Sequence, residues 1–126
     1  MNNMTKKTIL IVEDETELSE LYKYVLASEG YAIMEANDGH NAIALYNQFH
    51  KNINIVLMDL GLPKLDGKEV FKQLQQINPE VKVIFMSGYI DENLASDLLQ
   101  AGGKGLIQKP YSPDVMLRNV RRILDV

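Results

Sequence analysis

Cysteine and tryptophan are both absent from this chain. No disulfide and no thiolate metal site can form, and no indole is available to stack on a flat cofactor. Only four prolines and eight glycines punctuate 126 residues, too few for a low-complexity or collagen-like chain. Long apolar runs are missing as well: nothing approaches the ~20 residues that span a bilayer. The amino-terminal stretch Met1-Asn2-Asn3-Met4-Thr5-Lys6-Lys7 is basic, but the apolar run that follows is interrupted by Glu13, too soon for the h-region of a signal peptide. The expected location is cytoplasmic, with no membrane contact. Basic residues do not cluster, apart from Arg118, Arg121 and Arg122, and the net charge is −4. Direct binding to nucleic acid is not expected. The three arginines read as the solvated face and last turn of a helix.

What is present is ordinary for a globular protein: 46% hydrophobic and 24% charged residues. The length suits one domain over residues 1–126, with an ordered core over about 7–125. Strand and helix signals alternate five times. Thr8-Ile9-Leu10-Ile11-Val12 is apolar without alternation, the pattern of a strand covered on both faces. A helix is predicted over about 16–29, with Leu18, Leu21, Tyr22, Val25 and Leu26 on one stripe. A strand over about 31–35 leads to a helix over about 39–50 that carries Ala42, Leu45, Tyr46 and Phe49 inward. The run Asn54-Ile55-Val56-Leu57-Met58-Asp59 is the third strand. Val70, Phe71, Leu74 and Ile77 mark the next helix, stopped by Asn78-Pro79. A strand over about 81–86, a weaker helix over about 91–101, a short strand to about 108 and a helix over about 113–125 complete the chain. This (βα)5 order predicts an α/β fold, a doubly wound parallel five-stranded sheet with helices on both faces. Ligands of such sheets sit beyond the carboxyl ends of the strands.

Polar groups of one chemistry recur at those ends. Glu13 and Asp14 follow the first strand, Asp59 closes the third, Ser87 follows the fourth and Lys109 the fifth. A carboxylate straight after a buried strand is costly unless something there uses it. Three clustered carboxylates repel one another, and Mg²⁺, which takes carboxylate and phosphate oxygens, relieves the repulsion. Asp59 then reads as a carboxylate nucleophile toward a phosphoryl group. The cation and the Lys109 ammonium would neutralise the phosphoryl oxygens, and Ser87 would donate to one of them. Singly, each residue has a plainer reading. Asp14 with Glu17 has the spacing of a helix capping box. Asp59 and Ser87-Gly88 suit turns, and Lys109-Pro110 suits a solvated lysine before a helix. Five complementary groups at corresponding strand ends favour the joint reading. His40 and His50 fall away from those ends and read as solvated, and Met34, Met58, Met86 and Met116 read as packing residues.

Glu13-Asp14, Asp59 with Leu62-Pro63 and Asp66-Gly67, Ser87-Gly88 and Lys109-Pro110 together resemble the response-regulator receiver domain of two-component signalling, over essentially all of residues 7–125. The resemblance implies a flavodoxin-like sheet of order 2-1-3-4-5. It also implies a phosphorylation-activated switch, not an enzyme acting on other molecules; its only catalysis would be its own aspartyl phosphorylation and dephosphorylation. Asp59 would accept phosphate from a phosphohistidine of a sensor histidine kinase or phosphotransfer protein. Mg²⁺ (or Mn²⁺) would be held by Asp14, Asp59 and the Gly61 carbonyl, with Glu13 acting mainly through a metal-bound water. Asp59, Ser87 and Lys109 would carry the chemistry, and the Lys109-Pro110 bond would be cis. The output would pass to a downstream protein or an attached output domain, from a monomer or a weak phosphorylation-dependent dimer. A stand-alone regulator, a phosphorelay intermediate and a fragment of a hybrid sensor kinase all fit. The runs Phe85 to Tyr89 and Lys109 to Pro113 resemble receivers of hybrid kinases.

Departures from the family pattern are informative. Leu106 stands three residues before the lysine, where many receivers have an aromatic that swings inward on phosphorylation. Tyr89 and Tyr111 are the nearby aromatics able to substitute. Gly61 leaves room for an attacking water, whereas Tyr89 could shield the phosphoryl group. Phosphorylation is expected to draw Ser87 and Lys109 inward and to reshape the face of the fourth helix, fifth strand and fifth helix. Leu94, Leu98, Leu106 and Tyr111 are its expected exposed readout residues. The alternative of the same architecture, a flavodoxin-like FMN-binding electron carrier, needs a first loop whose backbone amides hold a phosphate. Glu13-Asp14-Glu15 would repel one. An aspartyl hydrolase would need a second acid where Gly61 stands.

Overall fold

The uninterrupted apolar runs become the inner strands of a parallel sheet, because both of their faces are covered. In the computed structural model, which describes residues 6–88, 91–109 and 112–125, β1 spans Thr8–Val12, β2 Ala32–Ala36, β3 Ile53–Asp59, β4 Val83–Ser87 and β5 Gly105–Gln108. Every pairing is parallel, and the order is β2-β1-β3-β4-β5. The expected (βα)5 architecture and strand order are thus found. The helices are α1 Thr16–Ser28, α2 Gly39–Phe49, α3 Gly67–Ile77, α4 Glu92–Gln100 and α5 Pro113–Leu124.

Pleating sends alternate residues to opposite faces, and two cores result. Leu10, Val12, Val56, Met58, Val83 and Phe85 point toward α2, α3 and α4, where Ala42, Tyr46, Val70, Phe71, Leu74 and Leu98 meet them. Ile9, Ile11, Ile55, Leu57, Ile84, Met86 and Ile107 point the other way, against Tyr22 and Leu26 of α1 and Met116, Leu117, Val120 and Leu124 of α5. Each such fully buried apolar side chain contributes about 1.5–3 kcal/mol over an exposed one.

Local chemistry starts the helices. Asp38, Asp66 and Asp91 accept the backbone N–H groups of Asn41, Glu69 and Leu94, and Ser112 accepts that of Val115 with Pro113 behind it. Each such cap is worth about 1 kcal/mol. α1 is different. Its cap position is Glu15, which makes no side-chain cap bond, so the capping box that the spacing of Asp14 and Glu17 would allow, the plainer alternative for Asp14, does not form.

Two packing expectations are corrected as well. Leu21, placed on the inner stripe of α1, is 45% exposed. Leu98, expected on the exposed readout face, is buried beneath α4, and Leu94 and Leu106 are half-buried against the same core. Leu99 is the exposed leucine of α4. Met58, Met86 and Met116 are core residues as read from the sequence, with Met34 packed at the edge. His40 is exposed, while His50 is half-buried, its ring tilted against that of Tyr46.

Candidate functional site

Register assembles the site. Val12 pairs with Met58, Asp59 with Met86 and Ser87 with Gln108. Glu13, one residue past Val12, therefore lies beside Asp59, and Lys109, one past Gln108, lies just beyond Ser87. The backbone continues the ladder: Glu13 N–H donates to the Ala36 carbonyl at 3.1 Å, Leu60 N–H to Met86 at 2.9 Å and Lys109 N–H to Ser87 at 2.7 Å. Counting by twos, Glu13 continues Ile9 and Ile11, Asp59 continues Ile55 and Leu57, and Lys109 continues Ile107. All three thus fall on the α1/α5 side of the pleat. Ser87 continues Val83 and Phe85 on the other side.

The side chains close the arrangement. Lys109 Nζ donates to Glu13 Oε1 at 3.0 Å and to Asp59 Oδ2 at 3.2 Å. Glu13 is 1% exposed and Asp59 6%, so these charges meet where water screens them little. The other Asp59 oxygen accepts Gly61 N–H at 2.9 Å, and Glu13 Oε2 accepts Glu15 N–H at 3.2 Å. Burial above all pushes the Glu13 carboxyl up to about 7 from its ordinary 4.5; the Asp59 charge adds to the rise, and Lys109 and the Glu15 N–H pull against it. Burial alone would lower the Lys109 ammonium, but its bond to Glu13 and the charges of both acids outweigh that and hold it above its ordinary value.

Glu13, Asp14 and Asp59 each offer a carboxylate oxygen within 4.8 Å of the others. Three converging hard oxygens suit a divalent cation with an oxygen preference, so the donor set fits the expected ion. Asp14 is exposed, at the solvent side of this cluster. Glu13, Asp14, Asp59 and Lys109 therefore converge at the carboxyl edge of the sheet, Gly61 joins them through its N–H, and Ser87 ends the neighbouring strand at the same edge, tied to Lys109 through the backbone. Tyr89, Pro110 with its expected cis bond, and Tyr111 lie outside the described residues. Sequence reasoning missed a groove of about 540 Å³ between α1 and α2, lined in part by Glu13, Thr16, Ser19, Glu35, Asn41 and Leu45. Within it Ser19 donates to Glu35 at 2.9 Å, and Lys23 pairs with the same carboxylate at 3.3 Å. Three-residue and four-residue spacing on α1 was the available signal, but nothing in the chain tied it to β2.

The sequence matches the family described as the response regulator receiver domain over residues 9–121. The chain belongs to that family. This receiver is 30% identical over 118 residues to the chemotaxis protein CheY of Bacillus subtilis, covering 93% of this chain and 97% of that protein. It is 30% identical to the sensor kinase CckA of Brucella abortus over 94% of this chain but only 12% of that protein, and 31% identical to the transcriptional regulatory protein DegU of Brevibacillus brevis over 94% of this chain and 50% of that one. The receiver thus spans nearly all of one relative and half or less of the other two. A chain of the CheX-CheY-BeF3-Mg²⁺ complex from Borrelia burgdorferi superposes with a TM-score of 0.89 at 30% identity, over 93% of this receiver and 88% of that chain. Receiver domains are phosphorylation-activated signalling switches that work with histidine kinases, phosphotransfer proteins or output domains and bind Mg²⁺ at an acidic pocket. The flavin-carrier alternative gains no support from any of these likenesses. Among the described residues, no helix is long and apolar enough to cross a membrane.

Proposed function

We propose that Asp59 is the phosphoacceptor of this receiver. The observation that carries the reading is the contact of Lys109 with both Asp59 and Glu13 inside a cluster of three convergent carboxylates. An Asp59 oxygen attacks the phosphorus of a phosphohistidine on a sensor kinase or phosphotransfer protein. The P–O bond forms as the P–N bond breaks, and the imidazole keeps the electron pair. The Gly61 N–H and Lys109 hold the carboxylate in place before attack, so part of the positioning is built in. In this reading Lys109 exchanges a carboxylate contact for a phosphoryl oxygen, and Ser87, anchored next to it through the Lys109 N–H, donates its hydroxyl. Glu13, Asp14, Asp59 and the Gly61 carbonyl would hold Mg²⁺ (or Mn²⁺), Glu13 mainly through water; the bound ion would supply positive charge against the phosphoryl oxygens.

The domain is a switch, in this reading, and not an enzyme acting on other molecules. Residues 7–125 form one receiver unit, and the exchange takes place in the cytoplasm. Phosphorylation is passed to a downstream protein or an attached output domain through the α4, β5 and α5 face. Leu106 pairs with Phe85 and packs against the α4 side of the core, so an aliphatic contact stands where many receivers swing an aromatic. The test is a small phosphodonor with Mg²⁺ and intact-protein mass: wild type is expected to gain one phosphate and Asp59→Asn none. Equal gain by the variant sinks the assignment.

A further inference from the structure

The Asp66-Gly67 pair has no part in the chemistry above, yet it lies against the acceptor. Asp66 caps α3, and Gly67 is that helix's first residue and is buried. Its backbone is not left-handed, so glycine is not needed there for its φ. It is needed for space. A Cβ at Gly67 would lie 2.8 Å from the Asp59 carbonyl oxygen, 3.0 Å from Leu60 Cα and 3.0 Å from Leu60 Cδ2. Ordinary contact begins at 3.4 Å, so the acceptor's own backbone would have to give by about 0.6 Å or α3 would have to back away. That backbone has little freedom, because Asp59 pairs with Met86 in the sheet and Leu60 N–H is bound to the Met86 carbonyl at 2.9 Å.

We propose that Gly67 is a positioning residue for Asp59: by letting α3 start in contact with the Asp59 carbonyl, it sets where the carboxylate sits between Gly61 N–H and Lys109. The proposal rests on the reading of Asp59 as phosphoacceptor. A shift of several tenths of an ångström at the attacking group costs about tenfold in rate, given that about 1 Å costs about a hundredfold.

Gly39 supplies the control. A Cβ there meets Val70 Cγ2 at 2.6 Å and the Leu65 carbonyl at 3.1 Å, an equally severe clash directed at α3 and the loop tip instead of at Asp59. Gly67→Ala and Gly39→Ala are compared with wild type for thermal stability and for phosphorylation across a range of acetyl phosphate concentrations, followed by intact mass per folded molecule. Both variants are expected to lose stability. Only Gly67→Ala is expected to lose about tenfold or more in maximal phosphorylation rate, with half-saturating donor concentration little changed. Wild-type rate in folded Gly67→Ala, or equal rate losses in both variants, overturns the proposal. If Gly67→Ala folds poorly, Gly67→Ala/Leu60→Ala removes the clash with the leucine side chain and keeps the one with the Asp59 carbonyl. Its rate should stay low, and recovery to the Leu60→Ala rate would overturn the proposal. Asp59→Asn is run beside them. If it gains phosphate, or wild type gains none, the phosphoacceptor reading fails and takes this proposal with it; if both behave as expected, only Gly67 is on trial.

Discussion

Replacing Glu13 with Gln tests the electrostatics of the acidic cluster directly. Glu13 is buried beside Asp59 and its carboxyl is pushed up from 4.5 to about 7, chiefly by burial. The folded state therefore binds a proton that the unfolded chain has already released across that window. Stability from this group is fully present below pH 4.5 and is lost as pH rises through about 7. At about 1.4 kcal/mol per pH unit, the loss amounts to about 3 kcal/mol. Glu13→Gln keeps the size and removes the titration, so the difference between variant and wild type isolates Glu13 from every other carboxylate. Urea unfolding followed by far-UV circular dichroism suits a chain without tryptophan. In chelator, Glu13→Gln is expected to gain about 2–3 kcal/mol on wild type between roughly pH 5 and roughly pH 8. Added Mg²⁺ should then stabilise wild type most at the upper pH, where the carboxylate is charged and able to help hold it. A variant-minus-wild-type difference that stays flat with pH in chelator would refute the reasoning, since it would mean that Glu13 does not titrate in this window.

Two further substitutions test the fold around the site. Leu98→Ala opens a cavity beneath α4, where Leu98 is 3% exposed, and should cost about 2–5 kcal/mol in urea unfolding; a cost near zero would return Leu98 to the surface. Lys64 has a φ of 67° in the loop after β3, a region that asparagine tolerates better than lysine. Lys64→Asn should raise stability by a few tenths of a kcal/mol to about 1 kcal/mol, read as a higher thermal midpoint, and a lower midpoint would show that the lysine side chain offsets its own strain.

The order of elements and the place of the candidate site were legible because the strongest signals belonged to single strands. Ile9 to Val12, Ile55 to Met58 and Val83 to Met86 are apolar at every position, and the polar residue ending each run stands out against them. What the chain concealed was rotation and pairing at a distance. α4 offers Leu94, Leu98 and Leu99 within six residues, and a stripe that short does not say which leucine faces inward; burial in the core that also holds Phe71 and Phe85 decides for Leu98. Asp14 looked like a helix cap because its spacing to Glu17 is right. The helix instead starts one residue later, and the first acid's oxygen takes the Glu15 N–H, leaving Asp14 to the cluster. The network of Ser19, Lys23 and Glu35 joins a helix to the neighbouring strand, and no local pattern announces such a contact. Lys109 was legible only through the parallel alignment, since 96 residues separate it from Glu13.

That separation bears on how the molecule comes into being. β5 is the outermost strand on its side of the sheet and the last of the five in chain order. Before it docks, Glu13 and Asp59 already sit side by side wherever β1 and β3 have paired, two acids without the ammonium that later joins them. Closing a loop of this length is slow and entropically costly, so a growing chain carries an electrostatic penalty at its centre until its final strand arrives. A divalent cation at Glu13, Asp14 and Asp59 would supply that missing counter-charge before β5 does.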